Sequence, residues 1–237
     1  MNIALIIAGG TGQRMGQDIP KQFLSVNDKP VIVYTMEAFQ RHPNIDKIAV
    51  VCLDGWHDVL KAYAKQFGIS KLEVVASGGE TGQESIYKGL LSLKNIANYD
   101  DIVLVHDAIR PMVSQDIITD CIVKATKYGN AITVIPCAEA MMVSRDEESA
   151  DRSIPRHNLK RTQTPQAMKY GSFLKMHEKA LSMGITKSIA TCTMIIETGG
   201  IVYYSMGSEK NIKLTTVDDL DIFKALLQAK HDDSIKR

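Results

Sequence analysis

The chain has 237 residues, 28 of them basic and 27 acidic, for a formal net charge of +1. No overall field therefore draws it to nucleic acid or to an anionic membrane, and any anion site must be built from local patches. The apolar run at residues 2–8 is far too short to span a bilayer, and it stops at Gly9-Gly10 where a signal peptide would carry its cleavage site, so a cytoplasmic protein is expected. Cys52, Cys121, Cys137 and Cys192 are scattered with no Cys-x-x-Cys, which points to small buried thiols rather than a disulfide framework or a zinc site.

In chain order, near-continuous apolar runs alternate with amphipathic stretches. Strands are predicted at 2–8, 47–53, 72–77, 101–107 and 131–137, each as apolar as a strand covered on both faces should be. Helical spacing fills 31–42, 56–68, 84–96 and 114–129, with Gly68 and Gly129 placed as stops. From Ala138 to about Leu159 the rhythm breaks into a charged, turn-rich excursion that is too short to be a domain. The pattern resumes with a helix near 170–183, another before Gly199-Gly200, a strand at 201–206 and a last helix. That helix opens with Thr216 three residues before Asp219, and Val217, Leu220, Phe223 and Leu227 line one face. The repetition implies an α/β fold with a doubly wound, mostly parallel sheet, in one domain spanning 1–237.

The glycine-rich stretch "IIAGGTGQRMGQDIPKQFL" follows the first strand, at the sheet edge where open α/β folds bind ligands. Its glycines let the backbone approach a ligand and present amide N–H groups to it. Met15 stands where a dinucleotide fingerprint needs a small residue, no acidic residue follows at the required distance, and Lys21 is misplaced for a Walker A loop. What remains is a turn flanked by Arg14 and Lys21, two cations able to hold a triphosphate and to absorb charge as pyrophosphate leaves.

A second constellation, "VLVHDAIRP", ends another apolar strand. Asp107 there is the hard oxygen ligand that a Mg²⁺ bridging phosphates requires, and Arg110 is near enough to face a second phosphate or simply to pair with Asp107. "GGE" at 78–80 with Ser85 behind it, "RTQTPQ" at 161–166 and "NIKLTT" at 211–216 each place hydroxyl, amide or cationic donors beside turn residues.

In this order the motifs resemble the CTP-dependent polyol-phosphate cytidylyltransferases, whose branches act on ribitol 5-phosphate or 2-C-methyl-D-erythritol 4-phosphate. The resemblance implies a Rossmann-like nucleotidyltransferase fold whose arm, at about 138–159, clasps a second subunit in a homodimer. It implies CTP and a polyol phosphate as substrates, with Mg²⁺, and no nucleic-acid or membrane partner. Carried over residue by residue, Gly10, Gly12, Arg14 and Lys21 would hold the CTP phosphates, Gly79 and Ser85 would sit by the cytidine, and Asp107 would face the metal. Arg110, Arg156, Thr164 and Lys213 would approach the acceptor phosphate or the reacting phosphoryl groups. The nucleophile in such a reaction is a phosphate oxygen already largely deprotonated near neutral pH, so no general base is needed. Catalysis would rest on in-line positioning and charge neutralisation by Mg²⁺, Arg14, Lys21 and Lys213.

The chain departs from the family pattern at three places. Gly82 stands where an arginine is common, Glu139-Ala140 replaces an Asp-Thr pair at the start of the arm, and Ile189-Ala190 replaces a Ser/Thr-Asp pair, with Ser188 as a substitute helix cap. The Glu139-Ala140 change removes a hydroxyl and lengthens an acid, so a straight-chain acceptor such as ribitol 5-phosphate is expected, and the stretch "DGWHDVLKAYAKQFGI" also resembles the ribitol-phosphate branch. Methylerythritol phosphate, and a non-catalytic nucleotide-binding relative, are the alternatives; a nicotinamide-dependent oxidoreductase is disfavoured by Met15.

Overall fold

The computed structural model describes residues 1–10 and 19–235. β1 (Asn2–Ala8) ends at the Gly9-Gly10 pair, and a tight helical turn at Lys21–Phe23 leads through the ribbon β2 (Ser25–Val26) and β3 (Lys29–Pro30) into α1 (Val31–Gln40). There follow β4 (Lys47–Cys52), α2 (His57–Gln66), β5 (Leu72–Ser77), α3 (Gly82–Ser92), β6 (Ile102–Asp107), α4 (Gln115–Tyr128) and β7 (Asn130–Pro136). The expected excursion contains β8 (Met141–Ser144) and β9 (Ala150–Ile154), after which come β10 (Lys160–Lys169), α5 (Tyr170–Ser182), α6 (Thr191–Glu197), β11 (Tyr204–Met206) and α7 (Val217–Ile235).

The main sheet has seven strands in the order β11-β7-β10-β6-β1-β4-β5. β1 pairs in parallel with both β4 and β6, so the direction of winding reverses at β1 and the carboxyl ends of β1 and β6 open a crevice. Alternate side chains explain why β1 is apolar throughout. Ala4 and Ile6 join a core with Ile32, Phe39, Leu60 and Ile118 from α1, α2 and α4, whereas Ile3 and Leu5 join one with Leu90, Phe173 and Ile195 from α3, α5 and α6.

β10 is absent from the sequence reading, which treats 161–166 as donors beside a turn. It lies antiparallel between β6 and β7, with a register shift between Thr162 and Gln166. Its polar residues hide it, because Gln163 and Gln166 are buried but hydrogen-bonded rather than apolar. The predicted strand at 201–206 shortens to β11, parallel to β7. Gly68 and Gly129 do end α2 and α4, with φ of +69° and +90°. At α7 the Thr216 hydroxyl takes the Asp219 N–H at 3.3 Å, and Asp219 Oδ2 takes the Thr215 and Thr216 N–H groups. Phe223 is buried and Leu220 and Leu227 pack beside it, but Val217 is exposed, one position outside the stripe.

The arm is an exposed hairpin, β8 antiparallel to β9, turned at Asp146, whose carboxylate accepts the Glu148 and Ser149 N–H groups. Among the described residues no helix is long and apolar enough to cross a membrane.

Gly89, in mid-α3, brings that helix onto the sheet: a Cβ there would lie 2.6 Å from Val51 Cγ2 and 2.9 Å from Leu5 Cδ1. Gly89→Val is expected to destabilise the chain by about 1–3 kcal/mol through overpacking, read as a lower urea midpoint; an unchanged midpoint would show that the helix can ride outward freely.

Candidate active site

Two pockets meet at the carboxyl ends of β1 and β6. One, of about 250 Å³, is walled by Gly9, Gly10, Lys21, Gln22, Gly79 and Ser85. The other, of about 350 Å³, is walled by Arg110, Gln163, Thr164, Gln166, Ile189 and Ala190. Ile7, Gly82, Asp107 and Lys213 belong to both, so they form the junction of a single two-lobed cleft.

The glycine lobe is shaped by buried side chains. Gln22, fully enclosed, donates from Nε2 to the carbonyls of Ala8 at 2.7 Å and Gly10 at 3.0 Å, fastening the end of β1. Ser85 Oγ accepts the Gly79 N–H at 2.9 Å, and a Cβ on Gly78 would come within 3.2 Å of that oxygen. A Cβ on Gly79 would strike the Glu84 side chain. The lobe is thus lined in part by bare backbone at Gly9, Gly10 and Gly79, which suits a phosphate or ribose. Gly12 and Arg14 lie outside the described residues.

At the junction Asp107 makes two ion pairs, from Oδ2 to Arg110 Nε at 3.0 Å and from Oδ1 to Lys213 Nζ at 3.2 Å. Burial opposes its ionisation, but Lys213 and then Arg110 outweigh that, and the carboxyl is held below the usual carboxylate range. Arg110 also donates from Nη1 to the Asn211 carbonyl at 2.8 Å. Asn211 in turn donates to the Thr164 carbonyl, which ties the 107–110 loop, β10 and the 211–214 segment together.

His106 explains why this loop is rigid. Its Nε2 lies 3.1 Å from the Arg110 carbonyl, an atom that can only accept, so Nε2 carries the proton. Burial, only partly offset by that bond, lowers its pKa to about 4, so the ring is neutral and Nδ1 is an acceptor. The Thr164 hydroxyl, 3.1 Å from Nδ1, donates to it while accepting the Asp107 N–H at 3.1 Å. Thr164 thus spends its single proton holding Asp107 and His106 in place. Gln22, His106 and Asn211 stand inside the quoted sequence motifs, but nothing in their spacing assigns them these tasks.

The expected partners elsewhere fall differently. Arg156 donates to the Ala138 carbonyl at 2.6 Å and lines neither lobe of its own chain. Glu139 is paired with Arg161, which also holds Glu209. Ser188 does not cap α6, because its hydroxyl donates to Glu197 at the far end of the helix. The free Cys192 N–H of the first turn goes instead to Gln166 Oε1 at 3.0 Å, a cap supplied from β10.

A doubly wound sheet with a backbone-lined lobe, joined through one carboxylate and its two cations, Arg110 and Lys213, to a second and largely apolar lobe, is the construction of a nucleotidyltransferase. Residues 2–229 match the family described as IspD, 2-C-methyl-D-erythritol 4-phosphate cytidylyltransferase, and the chain belongs to that family. It is 45% identical to the ribitol-5-phosphate cytidylyltransferase of Lacticaseibacillus paracasei, over 97% of this chain and 99% of that one. It is 35% identical to the 2-C-methyl-D-erythritol 4-phosphate cytidylyltransferase of Clostridium botulinum, over 96% and 97%. The crystal structure of 4-diphosphocytidyl-2C-methyl-D-erythritol synthase from Anaerococcus prevotii superposes with a TM-score of 0.80 at 25% identity, covering 96% of this chain and 98% of that one. The enzyme class is thus cytidylyltransferase, with CTP and a polyol phosphate as the implied substrates.

Because the Asp107 carboxyl titrates below its unfolded value, its stabilising contribution is present above the unfolded pKa and fades as pH falls through the folded one. Asp107→Asn is expected to lower stability at neutral pH, with the difference from wild type shrinking in acid below about pH 4. Denaturant melts across that range check it; a difference that persists undiminished in acid would assign the loss to something other than charge.

Proposed function

We propose that the chain is a single cytidylyltransferase domain that transfers CMP from CTP to ribitol 5-phosphate, releasing pyrophosphate. The observation carrying the acceptor is the similarity ranking, with ribitol-phosphate enzymes at 45%, 38% and 36% identity and methylerythritol-phosphate enzymes at 35%. The geometry is consistent with the following division of labour. Amides of the glycine lobe and Lys21 take the CTP phosphates, and Gly79 and Ser85 border the nucleoside. Arg110 and Lys213, at the entrance to the second lobe, take the acceptor phosphate, and Asp107 sets where both cations stand.

The two cations differ in freedom. Arg110 is nearly enclosed and doubly anchored, whereas the Lys213 side chain is 43% exposed and held by one ion pair. Lys213 is the group that exchanges Asp107 for a phosphate oxygen as charge builds on the reacting phosphoryl groups. The acceptor phosphate attacks as a preformed anion, so these residues position and neutralise; none needs to abstract a proton.

Asp107 also fits a Mg²⁺. Among the described residues no group of three or more His, Cys, Asp and Glu side chains gathers there. A cation would take one carboxylate oxygen together with substrate phosphate oxygens and water, an arrangement ordinary for magnesium. Such an ion would shield the repulsion between the two phosphate-bearing substrates. We further propose that the arm pairs with a second copy, bringing Arg156 to the partner's acceptor lobe.

Lys21→Ala and Lys213→Ala are each expected to lower kcat by about two orders of magnitude or more with the fold retained; a rise in KM alone would mark that lysine as a ground-state binder. For the acceptor, kcat/KM for ribitol 5-phosphate is expected to exceed that for methylerythritol 4-phosphate by roughly ten- to two-hundredfold. The reverse order would move the enzyme to the methylerythritol branch, and absence of pyrophosphate release from CTP with either acceptor would make the chain a non-catalytic relative.

A further inference from the structure

One wall of the second lobe is a stretch of chain that belongs to no helix or strand. Residues 183–190 join α5 to α6, and Ser188, Ile189 and Ala190 of this stretch border the lobe. Thr186, Lys187 and Ile189 are exposed. The stretch is tied back to α5 by the Ile185 N–H, which the Ala180 carbonyl accepts at 2.8 Å, and forward to α6 by the Ser188 hydroxyl on Glu197. Both ties run along the chain, and neither sets how far the stretch stands from α3 across the lobe.

Gln83, the second residue of α3, sets that distance. It is 4% exposed, its Nε2 donates to the Ile185 carbonyl at 2.7 Å, and its Oε1 accepts the Ser188 N–H at 2.9 Å. One buried amide therefore holds two backbone groups of the same stretch, whatever the side chains at 185 and 188. Thr81 adds a longer contact, from its hydroxyl to the Thr186 carbonyl at 3.4 Å. Gly82 and Ala190, which also border the lobe, offer no polar side chain that could bridge the same gap. Because the stretch is largely exposed, water is the alternative partner for its carbonyl and N–H, so loss of the amide frees the stretch to move instead of trapping unmet polar groups.

The same turn of α3 borders the glycine lobe through Thr81, Gly82 and Ser85. Other bonds keep it in order there. Thr81 caps the helix by accepting the Glu84 N–H at 3.1 Å, and Ser85 Oγ accepts the Gly79 N–H at 2.9 Å. The Gln83 side chain takes part in neither bond, so a change at Gln83 acts on one side of the turn only.

We propose that Gln83 is a positioning residue for the acceptor: by clasping the 185–188 backbone to α3 it fixes the width of the second lobe, and so how the acceptor's carbon chain is held while its phosphate stands at Arg110 and Lys213. The role rests on the reading of the second lobe as the acceptor lobe. Gln83→Met keeps nearly the length and volume of the side chain and removes both bonds. Gln83→Glu keeps the acceptor toward Ser188 and removes the donor toward Ile185. Both are assayed as full-length enzyme by pyrophosphate release, well below their melting temperatures, with whichever of ribitol 5-phosphate and methylerythritol 4-phosphate the wild type turns over. In Gln83→Met the acceptor kcat/KM is expected to fall by about ten- to hundredfold. The loss is expected chiefly in the acceptor KM, with the CTP KM within about twofold of wild type. Gln83→Glu is expected to change in the same direction. Amide hydrogen exchange is expected to quicken at Ser188 in Gln83→Met and to stay as in the wild type at Glu84, whose N–H the Thr81 cap holds. An acceptor KM unchanged in the folded variants, whatever their melting temperatures, would overturn the proposal. So would equal rises in the KM values of CTP and acceptor, which would make Gln83 a general support of α3. Should one variant fail to fold, the kinetics of the other decide. Failure of the underlying reading shows separately, as no pyrophosphate release from CTP by the wild type with either acceptor, and it would overturn this role before any variant is compared.

Discussion

The cleft depends on one carboxylate. Asp107 closes β6, and its two oxygens hold cations that come from opposite directions in the chain, Arg110 three residues on and Lys213 from the far segment. Without it two positive side chains would be left near each other, unpaired by any carboxylate at the junction of the two lobes. The pairing resolves a conflict inherent in any site for two phosphate-bearing substrates. Cations must be present in number before the anions arrive, yet they repel one another when the site is empty. One anionic residue between them keeps them in place, and in the proposed reaction it would yield one of them, Lys213, to phosphate.

A carboxylate can do this only if its own backbone does not move, and the neutral His106 provides for that. An imidazolium would have to give up the Thr164 proton and would add a third positive charge beside Arg110 and Lys213. Burial makes that form costly, so the order Asp107 N–H to Thr164 to His106 to the Arg110 carbonyl has a single direction of donation. The pKa of about 4 is thus tied to the geometry of the site and not merely to the depth of the residue.

The parallel part of the sheet was legible because strands covered on both faces must be apolar at every position, a pattern that 2–8, 47–53 and 101–107 display plainly. The glycine stops of α2 and α4 were legible because only a residue without Cβ sits comfortably at positive φ. β10 was not, since a strand that satisfies its interior with Gln163, Gln166 and Thr164 carries no hydrophobic period. The α6 cap was misread for a related reason. Sequence places candidate caps next to a helix, whereas Gln166 reaches it from a strand 26 residues earlier. The charges of the site were foreseeable from residue type, but the division between an anchored Arg110 and a releasable Lys213 required the third dimension.

The third dimension also bears on acceptor choice. Glu139, beside the Ala140 that lacks a hydroxyl, is engaged with Arg161 on the exposed base of the arm and so lies outside the second lobe of its own chain. Within the second lobe, Gln163 and Gln166 are committed to Ser208, Asn211 and Cys192, and the Ser188 hydroxyl to Glu197. The rest of that wall is largely apolar, with Ile86, Val105, Ala190, Met194 and Ile189, the last 94% exposed. Gly82 leaves the passage between the lobes open, since a Cβ there would meet nothing within 4 Å. An apolar wall separates acceptors differing by a methyl group by only about 1–3 kcal/mol, because it leaves no polar group unpaired when the wrong one binds. Sharper discrimination requires donors aimed at particular hydroxyls, and in this lobe the Gln163 and Gln166 amides and the Ser188 hydroxyl are already taken. Strong reading of the polyol therefore calls for groups beyond this apolar wall, and under the proposed pairing of two copies the exposed hairpin, with Arg156 at its base, would be the element to supply them.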